Sequence, residues 1–170
     1  MLEANVLAAI QLQVEAALDY DKLLDKLRGS EGEKNIRDQQ NALITSLNLR
    51  LNGVSKKRTR LYEDYAEGLL DEAEYSFAKK SYDEQYADLS RRLDEAVQRR
   101  SKFDEAMSVD NKWITLMKSV STATQLSQDL VDESVELVKV HEGGAVELVM
   151  KYGDIYELTI QSIKEVQEAM

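Results

Sequence analysis

The chain has 170 residues with 22 basic and 32 acidic side chains, a net charge of −10, one histidine, and neither proline nor cysteine. This composition excludes disulfides, thiolate metal sites and cysteine nucleophiles, and it leaves His141 without the second histidine that most metal sites and proton relays use. No apolar run is long enough for a membrane span and no secretory signal pattern is present, so we expect a cytoplasmic protein without membrane contact.

Residues 1–30 are predicted to form the N-terminal helix of a small base. Apolar residues recur at helical spacing through residues 2–28, at Leu2, Val6, Ile10, Val14, Ala17, Leu24 and Leu27. Gly29 suits the left-handed conformation that ends many helices. Ser30 and Glu33 have the spacing of a capping box, which predicts that a second helix begins immediately.

Residues 31–107 are predicted to form an antiparallel coiled-coil arm, because two series of mostly apolar residues alternate steps of three and four. The rising series is Ile44, Leu47, Leu51, Val54, Arg58, Leu61 and Tyr65, and the returning series is Tyr75, Lys79, Tyr82, Tyr86, Leu89, Leu93, Ala96, Arg100, Phe103 and Met107. A reversal near Leu69 places Tyr65 opposite Tyr75. Arg58 then lies opposite Tyr82, where its guanidinium can stack on the ring.

Local signals predict the reversal, whose tip lies near residues 66–72. Gly68 follows the last turn of the rising helix, Asp71 can cap the returning helix, and Glu74 is favourable in its first turn. Gly53 lies within the rising helix, where we expect a soft spot costing about 1 kcal/mol relative to alanine. The alternative for Gly53 is a close approach by another backbone.

The returning helix is predicted to reach at least Phe103, and a continuing apolar stripe through Trp113, Met117 and Val120 allows it to reach about residue 120. Trp113 is expected in the core of the base. The polar run at residues 119–125 predicts a break, after which Ser127 is expected to cap a short helix.

Residues 108–170 are predicted to complete the base with a helix, a β-hairpin at residues 135–152 and a C-terminal helix. Two β-rich runs flank Gly143 and Gly144, a pattern typical of a hairpin. We expect Asp154 to cap the last helix, whose buried face would comprise Tyr156, Ile160, Ile163 and either Val166 or Gln167. The predicted fold is therefore mainly α, with a long antiparallel two-helix coiled-coil hairpin arm on a small α+β base.

Nothing in the sequence indicates catalysis, a cofactor, a metal site or a small-molecule substrate. No glycine spacing matches a phosphate-binding loop, and the carboxylates fall on predicted helix surfaces. His141, at a strand end, is expected to have a surface or capping role. The basic residues along the arm, such as Arg91 and Arg92, are interpreted as solvated coiled-coil flanks, and contact with DNA is the alternative.

The tip concentrates apolar side chains where few intramolecular partners are expected, and this pattern favours a protein-binding surface. The alternative is that these side chains all seal the loop. The candidate residues for contact with a partner are Tyr62, Tyr65, Gly68, Leu69, Leu70, Tyr75 and Phe77.

Two stretches resemble the large serine recombinases, the phage integrases and transposon recombinases. The stretch LYEDYAEGLLDEAEY is similar to their coiled-coil signature "LY-x-x-Y-x-x-G-x-I/L-x-x-x-x-Y". The stretch LSQDLVDESVELVKVHEGG is similar to the segment "L-T/S-x-x-L-V-x-x-x-V-x-x-I/V-x-V-H" that follows the coiled coil in that family. The two occur in the family's order and cover roughly residues 60–156.

The resemblance implies a non-catalytic C-terminal portion of a recombinase, in which a serine catalytic domain, a DNA-binding domain and a zinc-carrying four-cysteine ribbon precede this chain. It implies that the coiled coil contacts the coiled coil of another subunit when DNA sites are paired, and that a directionality factor regulates this contact during integration and excision. DNA would be bound through the parent protein. The alternatives are a DNA-binding module of the same recombinase and a generic helical spacer.

Overall fold

The structure, a computed structural model, describes residues 2–141 and 145–170 and is mainly helical with one two-stranded antiparallel sheet. Its elements are α1 (Leu2–Leu27), α2 (Glu31–Ala66), α3 (Glu72–Met107), α4 (Lys112–Ser119), α5 (Gln128–Ser134), β1 (Val135–Val140), β2 (Val146–Met150) and α6 (Gly153–Glu168). The predicted mainly-α class with a small β component is confirmed. Internal contacts divide the chain into a first unit, comprising the residues up to Ile36 with Lys102–Met170, and a second unit, Arg37–Ser101.

The first unit has an apolar core around Trp113, which is fully buried, as predicted. The rings of Tyr20 and Tyr156 pack against this indole with centroid distances of 6.0 and 4.7 Å. Helix α1 contributes most of its predicted stripe to the same core, through the buried residues Val6, Ile10, Val14, Ala17, Leu24 and Leu27. The side chain of Leu2 lies outside the described part of the chain.

Helix α3 ends at Met107, so its predicted extension to about residue 120 is wrong. The apolar stripe continues there because a separate helix, α4, buries Trp113 and Met117. Asn111 begins α4, and its Oδ1 accepts a hydrogen bond from Ile114 N–H at 3.1 Å. An asparagine at this position satisfies a backbone donor that a continuous helix would already have paired.

Asn111 also connects three helices through a buried polar network. Its Nδ2 donates to the Ala106 carbonyl at 2.9 Å and to Thr159 Oγ1 at 2.8 Å. Thr159 Oγ1 in turn donates to the Ile155 carbonyl at 2.6 Å. Since both side chains are fully buried, these bonds offset the cost of removing their polar atoms from water.

Arg28, which directly follows α1, forms hydrogen bonds with backbone carbonyls at the end of α3. Its Nε donates to the Met107 carbonyl at 2.8 Å and its Nη2 donates to the Ser108 carbonyl at 2.7 Å. These carbonyls have no partner within α3, so the guanidinium caps the negative end of that helix. The two bonds join residues 79 and 80 positions apart in the sequence.

The turn between α1 and α2 follows the prediction closely. Gly29 has a φ of +74°, the left-handed conformation expected at a helix end. Ser30 Oγ accepts from Glu33 N–H at 3.2 Å, as a capping box requires. The Glu33 carboxylate accepts a hydrogen bond at 2.5 Å from the N–H of Gly29, the residue before the cap, and the Ser30 N–H donates to the Leu27 carbonyl at 3.0 Å.

Gly32 is a packing position that was not predicted from the sequence. A Cβ atom at Gly32 would collide with the Val166 carbonyl oxygen and would lie 2.7 Å from Met170 Cγ. Nearby, Asn35 Nδ2 donates to the Ala169 carbonyl at 3.2 Å. The first turn of α2 therefore packs directly on the last turn of α6, which also brings opposite ends of two helix dipoles together.

Strands β1 and β2 form the predicted antiparallel pair, with Val138 opposite Leu148 and an irregularity between Val135 and Leu137. The predicted Gly143–Gly144 connection lies outside the described residues. Ser127 caps α5 as expected, since its side chain accepts a hydrogen bond from Leu130 N–H.

The start of α6 differs from the prediction. Tyr152 occupies the N-cap with φ 58° and ψ 30° and provides no side-chain cap, while Asp154 lies in the first turn. The predicted Asp154 cap is wrong because the helix begins two residues earlier, at Gly153. The buried face is correspondingly shifted, with Ile155 and Thr159 buried and Tyr156 only half-buried. Ile163 and Val166 are buried as predicted.

The second unit is organised by contacts between α2 and α3. Its buried residues are Leu47, Val54 and Leu89, against which Leu51, Tyr82, Tyr86, Leu93 and Ala96 pack. Cross-contacts occur in reverse order along the two helices, from Asn41 with Arg100 (2.9 Å) to Arg58 with Asp83 (2.9 Å). The Arg58 guanidinium lies 4.8 Å from the ring centroid of Tyr86, one helical turn beyond the predicted Tyr82.

Replacing Gly32 by alanine is expected to lower the free energy of unfolding of the first unit by about 1–3 kcal/mol, because the new methyl group meets a backbone carbonyl that cannot rotate away. Urea unfolding followed by the fluorescence of Trp113, the one tryptophan in the sequence, measures this change.

Gly53→Ala is the matched control in α2, since nothing lies within 4 Å of the position that its new methyl group would occupy. This open surrounding favours the predicted soft spot over a close backbone approach. The substitution is expected to stabilise the second unit by up to about 1 kcal/mol, measured by urea unfolding with circular dichroism. Equal effects of the two substitutions would contradict the packing at Gly32.

Candidate interaction site at the turn between α2 and α3

The chain reverses between α2 and α3 through two locally encoded caps. Gly68 has a φ of +77°, and its N–H donates to the Tyr65 carbonyl at 3.0 Å. The Leu69 N–H donates to the Asp64 carbonyl at 2.9 Å, which completes a Schellman motif. A residue with a Cβ atom is strained at this φ, so glycine is the favoured residue here.

A reciprocal capping box starts α3. Asp71 Oδ1 accepts from Glu74 N–H at 2.8 Å, and Glu74 Oε2 accepts from Asp71 N–H at 3.0 Å. The cap by Asp71 was predicted from the sequence, but the return bond from Glu74 was not. The three-residue spacing of an acceptor and a glutamate is the signal that identifies it. The direction of the reversal is therefore fixed by residues within the turn.

Tyr65 and Tyr75 close the contact between the two helices just before the turn. Their rings are stacked, with centroids 4.3 Å apart and planes 18° apart. This pair was predicted to face each other, and the prediction is confirmed. Because each ring covers one face of the other, these two candidate contact residues already have a partner within the chain.

Three other candidates remain largely in water. Phe77 is 81% exposed, Leu69 is 68% exposed and Tyr62 is 62% exposed. We call these three residues the apolar tip residues. Leu70, predicted to be exposed together with Leu69, is only half-buried and so offers less free surface. Large apolar side chains exposed to this degree at one end of a unit are typical of a contact surface.

The surroundings of the apolar tip residues are strongly acidic. Six carboxylates lie within or beside the turn, namely Glu63, Asp64, Glu67, Asp71, Glu72 and Glu74. A groove on the α2 side combines three of them with Lys56 and Arg60. Charged and polar groups around an apolar centre match the usual composition of a protein–protein interface.

Several basic residues of α2 and α3 are paired with neighbouring carboxylates. Arg91 donates to Asp88 and to Glu95, each at 2.7 Å, and the pKa of Arg91 is raised chiefly by its hydrogen bond with Asp88. Arg58 pairs with Asp83 at 2.9 Å, and Arg92 lies 3.8 Å from Asp88. These ion pairs agree with the interpretation as solvated helix flanks, because phosphate binding would have to displace them.

His141 is exposed at the end of β1, where its Nε2 lies 3.1 Å from Glu147 Oε2. The pKa of Glu147 is lowered, first by the hydrogen bond that Lys139 donates to it and then by His141. In residues 2–141 and 145–170 no group of three potential metal ligands comes together. No helix in that part of the chain is both long and apolar enough to cross a membrane.

Comparison with protein-family models, with curated proteins and with solved structures found no match to this chain. The resemblance to the large serine recombinases therefore rests on the two sequence stretches that carry it.

Replacing Leu69 or Phe77 by serine is expected to change the free energy of unfolding by no more than about 0.5 kcal/mol, because these side chains bury little surface within the chain. Leu47→Ala, at a residue only 2% exposed, is the destabilising comparison, with an expected loss of about 2–5 kcal/mol. Urea unfolding monitored by circular dichroism measures all three. A large loss for Phe77→Ser would show that the tip seals the loop and is not free for a partner.

Proposed function

We propose that this chain is a non-catalytic portion of a large serine site-specific recombinase, and that its α2–α3 hairpin contacts the hairpin of another subunit. The exposure of the apolar tip residues is the observation that carries the proposal. In this role the contact controls the pairing of DNA sites and the direction of integration or excision, and a directionality factor acts on the same surface. The strand exchange itself belongs to other parts of the recombinase.

The hairpin is proposed to be an antiparallel coiled coil. Three observations support this: the three-and-four spacing of the packed residues, their burial at Leu47, Val54 and Leu89, and the reverse order of the cross-contacts. Such a hairpin can present a small surface at its end without a large core of its own. Exposed heptad flanks with paired charges keep the remaining helix surface compatible with water.

The size of the apolar surface favours a weak and therefore reversible contact. Burying one large apolar side chain contributes about 1.5–3 kcal/mol, while association costs at least about 4 kcal/mol of lost freedom. Three such side chains thus support a dissociation constant on the order of millimolar for the isolated chain. In a recombinase already held on DNA, the effective concentration of the partner hairpin is high enough for such a contact to form.

Two other functions fit the observations less well. A DNA-binding module needs cations that are free to meet phosphate, whereas Arg58 and Arg91 are paired with carboxylates and the net charge is −10. A simple helical spacer has no use for three exposed apolar side chains at its end. A gel-shift titration at physiological salt tests the DNA-binding alternative, since strong binding of DNA by this chain would favour it over the proposed protein contact.

The double substitution Leu69→Ser with Phe77→Ser is expected to abolish self-association of the chain. The measurement is a dilution series of ¹H–¹⁵N spectra, in which unsubstituted protein should show concentration-dependent shifts confined to residues near the turn. In the intact recombinase the same pair of substitutions should prevent the pairing of two DNA sites while leaving binding to a single site unchanged.

Val97→Ser provides the matched control, because Val97, like Phe77, is an exposed apolar residue of α3, at 48% exposure, but lies further along the helix, away from the turn. This variant should behave as the unsubstituted chain in both measurements. Site pairing at the normal rate by the Leu69→Ser/Phe77→Ser recombinase would falsify the proposal.

A further inference from the structure

A pocket of about 620 Å³ opens in the first unit between β2, the start of α6 and the buried aromatic cluster. Trp113 and Tyr156 contribute aromatic surface to its lining. The pocket is separate from the apolar tip residues, since all of its lining residues belong to the first unit. A cavity of this size, with aromatic walls and a few polar groups, is typical of a ligand site.

The indole N–H of Trp113, a residue that lines this pocket, is an unused hydrogen-bond donor. The residue is fully buried, and its Nε1 has no acceptor among the described residues. Buried tryptophan N–H groups normally have a partner, because removing the donor from water without replacement is costly. None of the described residues that line the pocket supplies an acceptor to the Trp113 N–H.

The start of α6 adds further donors. The N-cap residue Tyr152 provides no side-chain hydrogen bond to the first turn, and Gly153 and Asp154 line the pocket. The first N–H groups of a helix have no partner within the helix and carry its positive partial charge. A ligand that accepts hydrogen bonds is therefore favoured at this end of the pocket.

The charge of the lining opposes an anionic ligand. Glu136, Asp154 and Glu157 line the pocket, and none of them forms an ion pair with another described residue. The neighbouring cations are already engaged: Lys112 lies 2.9 Å from Glu105, and Lys151 donates to the Asp132 carbonyl. The ligand must therefore combine neutral acceptors with a positive charge, as a peptide with a basic side chain does.

Strand β2 offers the main-chain partner for such a peptide. Three consecutive residues, Leu148, Val149 and Met150, line the pocket. Since successive side chains of a strand point to opposite faces, a consecutive run indicates that the strand turns its edge to the pocket. Only β1 pairs with β2 in the described residues, so the other edge of β2 has no strand paired to it and could accept one.

We propose that this pocket binds an extended peptide segment carrying a lysine or arginine side chain. A backbone carbonyl of the peptide accepts the Trp113 N–H, its main chain runs along the free edge of β2, and its cation lies near Glu136 and Glu157.

Trp113 reports on the site directly, because one tryptophan gives one indole ¹H–¹⁵N signal and all of the tryptophan fluorescence. The chain is titrated with three capped tripeptides, valine–X–valine, in which X is lysine, norleucine or glutamate. The lysine peptide should move the indole signal downfield to saturation, with at least about fivefold tighter binding than the norleucine peptide, the scale of one or two exposed ion pairs. The glutamate peptide should bind most weakly.

Glu157→Gln and Glu136→Gln are each expected to weaken the lysine peptide about threefold, the scale of one exposed ion pair, without affecting the norleucine peptide. Glu168→Gln, an exposed residue of α6 outside the pocket, is the control of equal charge change and should bind as the unsubstituted chain. The proposal is overturned if no peptide moves the indole signal at millimolar concentration. It is equally overturned if the glutamate peptide binds tightest, or if the three glutamate variants are indistinguishable.

Discussion

The second unit depends on the mutual coverage of two narrow apolar stripes. Helices α2 and α3 have 36 residues each, and both are on average polar. A single helix cannot remove its own apolar stripe from water, so each stripe needs a packing partner. Leu47, Val54 and Leu89 are buried because the apolar stripe of each helix packs on that of the other. Beyond the stacked Tyr65 and Tyr75, Leu69 has no facing helix to pack on and is 68% exposed. Tyr62 and Phe77 lie within α2 and α3 and are exposed because they do not belong to the packed stripes.

The features that were predictable from sequence are those fixed by near neighbours in the chain. Gly68 specifies the reversal by its left-handed backbone conformation, and Asp71 does so by capping the N–H of Glu74, three residues further along the chain. Both residues were identified from the sequence. The apolar stripes were equally predictable, because residues that are buried on one helix face recur at a fixed spacing in the sequence. The pairing of Tyr65 with Tyr75 followed from the register of those stripes.

The errors arose where a distant residue decides the local structure. The end of α3 could not be placed because Asn111 works as a buried cap only when Thr159, 48 residues away, accepts its amide. Gly32 gave no local signal of its packing on Val166. At α6, a left-handed Tyr152 is unfavourable by local preference and is therefore set by the fold around it. The missing acceptor of Trp113 likewise becomes visible only when all possible partners are placed in space.

Arg28 has a consequence for the engineering of the chain. One guanidinium joins the residue before Gly29 to the carbonyls at the end of α3, 79 and 80 positions further along the chain. The entropy of closing so long an excursion is offset where its two ends are held. The entropy cost of closing a long segment grows only slowly with its length. Changes in the length of residues 37–101 are therefore expected to leave the core of the first unit intact.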